Sequence, residues 1–88
     1  MAHTADADFW PLYRALPLNV QRRADKAFAM LRKAPDHPSL RLKKVKGHDG
    51  LWSARIGLDY RVLATEEDGG LHWFWIGSHA EYDKVLGQ

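Results

Sequence analysis

Three side chains in the last third of the chain could do chemistry together. Arg55 and Arg61 flank the short stretch Gly57-Leu58-Asp59, and His79 follows in Ser78-His79-Ala80-Glu81. All three fall near expected strand ends or a helix start, where side chains can converge on one phosphate. A guanidinium beside a titratable imidazole is the smallest set able to cut RNA without a metal. That reaction needs a base for the 2′-hydroxyl, cations for the crowded phosphorane and an acid for the departing 5′-oxygen. Histidine suits the proton transfers because its ordinary pKa of ~6.5 lies near operating pH. In the first turn of a helix, His79 would feel the positive end of the macrodipole, which favours the neutral imidazole that a base requires. The amides of that turn could also take a phosphate. A plainer reading stays open, in which His79 is a surface residue beside a cap.

Arg55 and Arg61 are each three residues from Leu58. A three-residue loop would set them directly opposite on one face, whereas a two-residue loop would turn one away. Opposed like charges repel, so a shared face demands an anion: Asp59, Glu81, a partner's carboxylate or a phosphate. Tyr82 lies three residues after His79, on the same side of a helix. Lys43, Lys44 and Lys46 form a basic run that could track phosphates without reading sequence. Alternation sends Lys43 and Lys44 to opposite faces, so the lysines should not all line one groove. His48 could approach from its turn or stand exposed there. His37 is expected in a loop and His3 in a frayed terminus. Trp73 and Trp75 are expected on one strand face, Phe74 and Ile76 on the other. One set is core, and the other could stack on a base or a partner segment.

The elements that must position these groups are legible in outline. Asp6 or Asp8 can cap a short helix over Phe9 to Leu16, which Pro17 interrupts. Val20, Ala24, Ala27, Phe28 and Leu31 recur at three- and four-residue steps and predict a helix from about Asn19 to Lys33. Pro35 and Pro38 end it. The period then changes to two, with Leu40 and Leu42 on one side. Leu51 to Ile56 and Tyr60 to Thr65 read as a hairpin, Glu67-Asp68-Gly69-Gly70 as a second turn, and Leu71 to Ile76 as an apolar strand. Ser78 and Glu81 match a capping box that opens a last helix from His79 to about Leu86. The spacing predicts an α+β fold: two N-terminal helices packed on a four-stranded, mostly antiparallel twisted sheet, with a short C-terminal helix.

At 88 residues the chain fits one domain, 1–88. Four Trp, three Tyr and three Phe offset the small core of so short a chain. With no cysteine, disulfides, thiolate metal sites and Cys nucleophiles are excluded, which fits a reducing cytoplasm. Neither a signal peptide nor a membrane span is expected. The net charge is only +2, but the basic run at Arg41 to Lys46 and the acidic turn at Glu66 to Asp68 separate the signs. No HExxH, CxxC or paired-carboxylate pattern occurs, so neither a metal nor a cofactor is expected.

These landmarks together resemble the RelE/ParE superfamily of bacterial toxins from type II toxin–antitoxin modules. The resemblance rests on Leu16-Pro17 before a helix, LKKVKG at Leu42 to Gly47, LWSARIGLDYRV at Leu51 to Val62, and IGSHAEYDKVL at Ile76 to Leu86. It implies one of two activities. RelE-, YoeB- and YafQ-like members are ribosome-dependent mRNA endonucleases, or mRNA interferases, whereas ParE-like members poison DNA gyrase. On the nuclease branch, Arg61 stands where the family's phosphate-contacting arginine does and His79 where YafQ- and YoeB-like members carry a catalytic histidine. Arg55 falls where YafQ-like members often have a histidine, Asp59 matches an acidic position, and Tyr82 could serve as the terminal aromatic. Trp75 stands about where a second functional arginine is common. The resemblance thus implies a metal-independent endoribonuclease with Arg55, Arg61, His79 and Tyr82 at its centre and Lys43, Lys44, Lys46 and His48 at its RNA-binding rim. It implies mRNA and the ribosome as targets and a cognate antitoxin as partner. The alternatives are a gyrase inhibitor and a degenerate domain that only binds a partner.

Overall fold

The computed structural model describes residues 2–87. Strand β1 (Ala2–Ala5) is followed by helices α1 (Phe9–Arg14) and α2 (Leu18–Lys33) and a 3-10 turn at Pro38–Leu40. Strands β2 (Lys43–Lys44), β3 (Leu51–Ile56), β4 (Tyr60–Glu67) and β5 (Gly70–Ser78) follow, and α3 (His79–Val85) closes the chain. The expected α+β arrangement is therefore formed, with one strand more than expected. The five strands lie in the order β1-β5-β4-β3-β2, with β1 parallel to β5 and the other neighbours antiparallel.

The extra strand corrects the expectation of a frayed N-terminus at His3. Ala2–Ala5 carries no apolar alternation to announce a strand, and it is long-range pairing to β5 that holds it. His3 Nδ1 accepts a hydrogen bond from Trp73 Nε1 at 3.1 Å, and the two rings stack. His72 ties the same strand from the other face: Thr4 Oγ1 lies 2.8 Å from its Nδ1 and Asp6 3.3 Å from its Nε2. Asp8 occupies the cap position of α1 but its side chain does not cap. Asp6 accepts from the Asp8 amide instead, turning the chain from strand into helix.

The core lies between the helices and one sheet face. Phe9, Ala24 and Leu31 from the helices meet Ala54, Ile56, Val62, Ala64, Trp73 and Ile76 from the sheet. Leu40 joins them from the 3-10 turn, not from an extended strand. Arg41 follows with φ +45°, so the chain reverses there and β2 is only two residues long.

One irregularity changes the reading of the aromatic strand. Leu63 pairs with Trp75 but the next residue, Ala64, pairs with Trp73, so Phe74 is a bulge. Trp73 and Trp75, expected on one face, are thereby sent to opposite faces. Trp73 is buried in the core. Trp75 joins Arg61, Leu63 and Gly77 on the far side and is only half-buried.

Candidate functional site

The connection Gly57-Leu58-Asp59 holds three residues, and Arg55 pairs directly with Arg61. Both arginines therefore share the face opposite the core. Ser53 sits one step along β3 on that face, and Lys43 pairs with Ser53. These four positions are fixed by strand register alone.

Helix α3 brings the remaining groups. The Ser78–Glu81 capping box forms as expected: the Ser78 hydroxyl accepts from the Glu81 amide at 3.1 Å, and Glu81 accepts from the Ser78 amide at 3.0 Å. The His79 amide donates to the Asp59 carbonyl at 2.7 Å, pinning the helix start to the β3–β4 turn. His79 thus lies next to the arginine hairpin although 18 to 24 residues separate them in sequence. Its Nδ1 is 3.4 Å from Asp83 one helical turn on. The Tyr82 ring stands 6.1 Å from that of His79 and 6.5 Å from that of Trp75. Trp75 in turn packs closely over Gly77: a Cβ at residue 77 would come within 2.6 Å of the indole. Only glycine allows that packing, and it makes Trp75 the buttress of Tyr82.

These groups enclose a hollow of about 390 Å³ lined by Arg41, Lys43, Ser53, Arg55, Arg61, His79 and Tyr82. No carboxylate is among them. Of the expected internal counter-charges, Glu81 is engaged in the cap, and neither it nor Asp59 forms an ion pair with Arg55 or Arg61 among the described residues. Arg61 donates to its own Tyr60 carbonyl at 2.9 Å. Partial burial first, and the charge of Arg55 second, lower the pKa of its guanidinium below the usual arginine value, so the cation sits where positive charge is not fully compensated. Arg55 Nε is buried without a hydrogen-bond partner. An anion in this hollow would offset the uncompensated positive charge.

The basic rim divides. Lys43 borders the hollow, and Lys43, Lys44 and Lys46 all border an adjoining open concavity with His79, Tyr82 and Asp83. Alternation holds within β2, where Lys43 pairs with Ser53 and Lys44 with Trp52, so the two side chains leave on opposite faces although both residues border this concavity. The Lys44 ammonium itself still turns away, 3.7 Å from Glu66 and over the Trp52 ring. His48 stays in its turn and lines neither concavity. Arg41 was not among the expected site residues. Its left-handed backbone, which no local pattern announces, places it in the hollow.

Among the described residues no cluster of three His, Cys, Asp or Glu side chains could hold a metal ion, and no helix is long and apolar enough to cross a membrane.

A five-stranded sheet with two helices on one face and a cationic hollow beneath a short terminal helix on the other defines a RelE-type toxin fold. The solved RelB–RelE antitoxin–toxin complex from Methanococcus jannaschii contains a chain that superposes with a TM-score of 0.75 at 13% identity, over 94% of this chain and 98% of that one. YafQ from E. coli gives 0.72 at 12% identity over 92% and 96%, and a YoeB/ParE toxin from Agrobacterium tumefaciens gives 0.68 at 18% over 90% and 99%. A search of curated proteins finds no significant sequence match. The family model of the ParE-like toxin domain matches residues 18–84, so the chain belongs to this family, within the RelE/ParE toxin superfamily.

Proposed function

We propose that this chain is the toxin of a type II toxin–antitoxin pair and that it cleaves mRNA on the ribosome. The observation that carries the reading is the hollow itself: four cationic side chains, one imidazole and one phenol around a space with no lining carboxylate. An RNA phosphodiester matches that arrangement in charge. Its non-bridging oxygens would lie against Arg61 and Arg55, whose cations stabilise the phosphorane most where its charge is greatest. Asp83 lies beside Nδ1 of His79, and Nε2 is the nitrogen left for substrate. Nε2 takes the proton of the 2′-hydroxyl, the 2′-oxygen bonds to phosphorus, and the bond to the 5′-oxygen breaks. The proton on His79 is then available to that oxygen, giving a 2′,3′-cyclic phosphate and a 5′-hydroxyl. Tyr82, propped by Trp75, orients the nucleotide. Lys43 and Lys46 add salt-dependent hold on RNA, with Lys44 at the edge of the same concavity. So few groups supply little substrate geometry, and the ribosome would provide the rest, so that the isolated protein cleaves slowly.

The reading brings with it a cytoplasmic location and a cognate antitoxin whose acidic or amphipathic segment covers the hollow. The RelB–RelE antitoxin–toxin complex among the similar structures supports that partner. A second reading, inhibition of DNA gyrase without catalysis, is favoured by the match to the ParE-like toxin domain.

Inducible expression of wild type and His79→Ala separates the two. For a nuclease, ribosome-phased mRNA 5′ ends appear with wild type and fall by ~10²–10⁴-fold in the variant. Gyrase-linked DNA breaks that persist in His79→Ala would instead establish the second reading.

A further inference from the structure

Arg55 borders two hollows, not one. Strand β2 covers β3 only at Trp52 and Ser53, so Arg55 stands past its end, at a sheet edge where the two faces meet. On the α2 side of this edge lies a second hollow of about 400 Å³. Arg23 and Lys26 from α2 and Ser39 line it, together with the apolar residues Met30, Leu40 and Leu58. The Arg23 guanidinium reaches the β3–β4 turn, with Nη1 3.9 Å from where a Cβ of Gly57 would stand. No carboxylate lines this hollow either, and Arg23, Lys26 and Arg55 form no ion pair among the described residues.

We propose that this second hollow is an anion subsite that takes a nucleotide flanking the one at His79, so that a single RNA strand crosses the sheet edge at Arg55. The proposal rests on the RNA-cleaving reading of the first hollow. Its own ground is the continuity of charge. Two hollows of similar size share one arginine, so their cationic linings are continuous. A polyanion with regularly spaced charges satisfies both at once. The apolar floor accepts a base face, and the Arg23 and Lys26 rim holds its phosphate. Phosphate contacts position a strand without reading it. The subsite therefore selects for length of single-stranded RNA more than for sequence.

The test measures binding of fully 2′-O-methylated RNAs, which lack the attacking hydroxyl, to the full chain by fluorescence anisotropy. A dinucleotide and a hexanucleotide are compared at several salt concentrations. Arg23 and Lys26 are exposed on α2, so the variant R23Q/K26Q should fold. Wild type is expected to bind the hexanucleotide more tightly than the dinucleotide. The double variant should lose roughly three- to tenfold for the hexanucleotide only, with the slope of log K against log salt smaller by about 1.4. Arg61→Gln should weaken both RNAs. An unchanged hexanucleotide affinity in R23Q/K26Q overturns the subsite while leaving the first hollow intact. Failure of wild type to bind either RNA overturns the subsite and the RNA-cleaving reading together.

Discussion

The two faces of this sheet are built on opposite terms. The helix-covered face is apolar and closed: Ala54, Ile56, Val62, Ala64, Trp73 and Ile76 meet the helices, and Trp73 satisfies its one polar atom on His3. The other face presents Lys43, Arg55 and Arg61 to a hollow, with one buried guanidinium nitrogen unpartnered and only a seven-residue helix overhead. The first face lowers the free energy of the fold, and the second is tolerated because the first does so. Such a division is expected where a small domain must keep charge uncompensated for a ligand.

The contrast between the faces is greatest at Trp73 and Trp75. They are the same residue type two positions apart, separated by one bulge. Trp73→Ala should destabilise the chain by about 3–5 kcal/mol. Trp75→Ala should cost about 1–2 kcal/mol, because its ring is only half-buried. Urea titrations of both variants check the difference. Equal losses would mean that the open face is also structural core.

The arginine pair tests the other half. Arg61→Ala is expected to reduce mRNA cleavage on the order of 10²–10³-fold. Its melting temperature should hold or rise, since the substitution removes a repulsion with Arg55 and a cation lowered in pKa by burial. A variant that lost activity only in proportion to lost folded protein would make Arg61 a structural ion.

Gly77→Ala sharpens the boundary between the faces. The added Cβ must displace the Trp75 indole. The cost should be about 1–3 kcal/mol, with Tyr82 losing its buttress. Tryptophan fluorescence and thermal melting report the two consequences separately.

The smallest effect is electrostatic. Hydrogen bonds from the backbone and side chain of Ser78 lower the pKa of the Glu81 carboxyl below its ordinary value. A depressed carboxylate contributes stability above its unfolded pKa and loses it as pH falls through the folded pKa. Acid titration of wild type should therefore show loss of α3 helicity below the ordinary glutamate range. Glu81→Gln should start less helical at neutral pH and flatten that part of the curve.

Much of this molecule is legible from local pattern. The 3- and 4-residue apolar recurrence from Val20 to Leu31 marks α2 and the Ser78–Glu81 spacing marks the start of α3, whereas the sequence allowed a two- or a three-residue turn between Arg55 and Arg61 and the strand pairing chose the latter. Other features have no local signature. Ala2–Ala5 is a strand because β5 lies beside it. Arg41 enters the hollow through a left-handed backbone, and the Phe74 bulge depends on which residue of β4 it meets.

The amino-acid order alone determined which residues carry charge and titratable groups and which helices have apolar faces, because each depends on neighbours within a few positions. Tertiary structure decided that His79 stands beside the arginine hairpin, that the two tryptophans part company, and that Arg55 is shared by two hollows. Those outcomes depend on pairings between residues far apart in the chain, and a strand shifted by one residue exchanges its two faces.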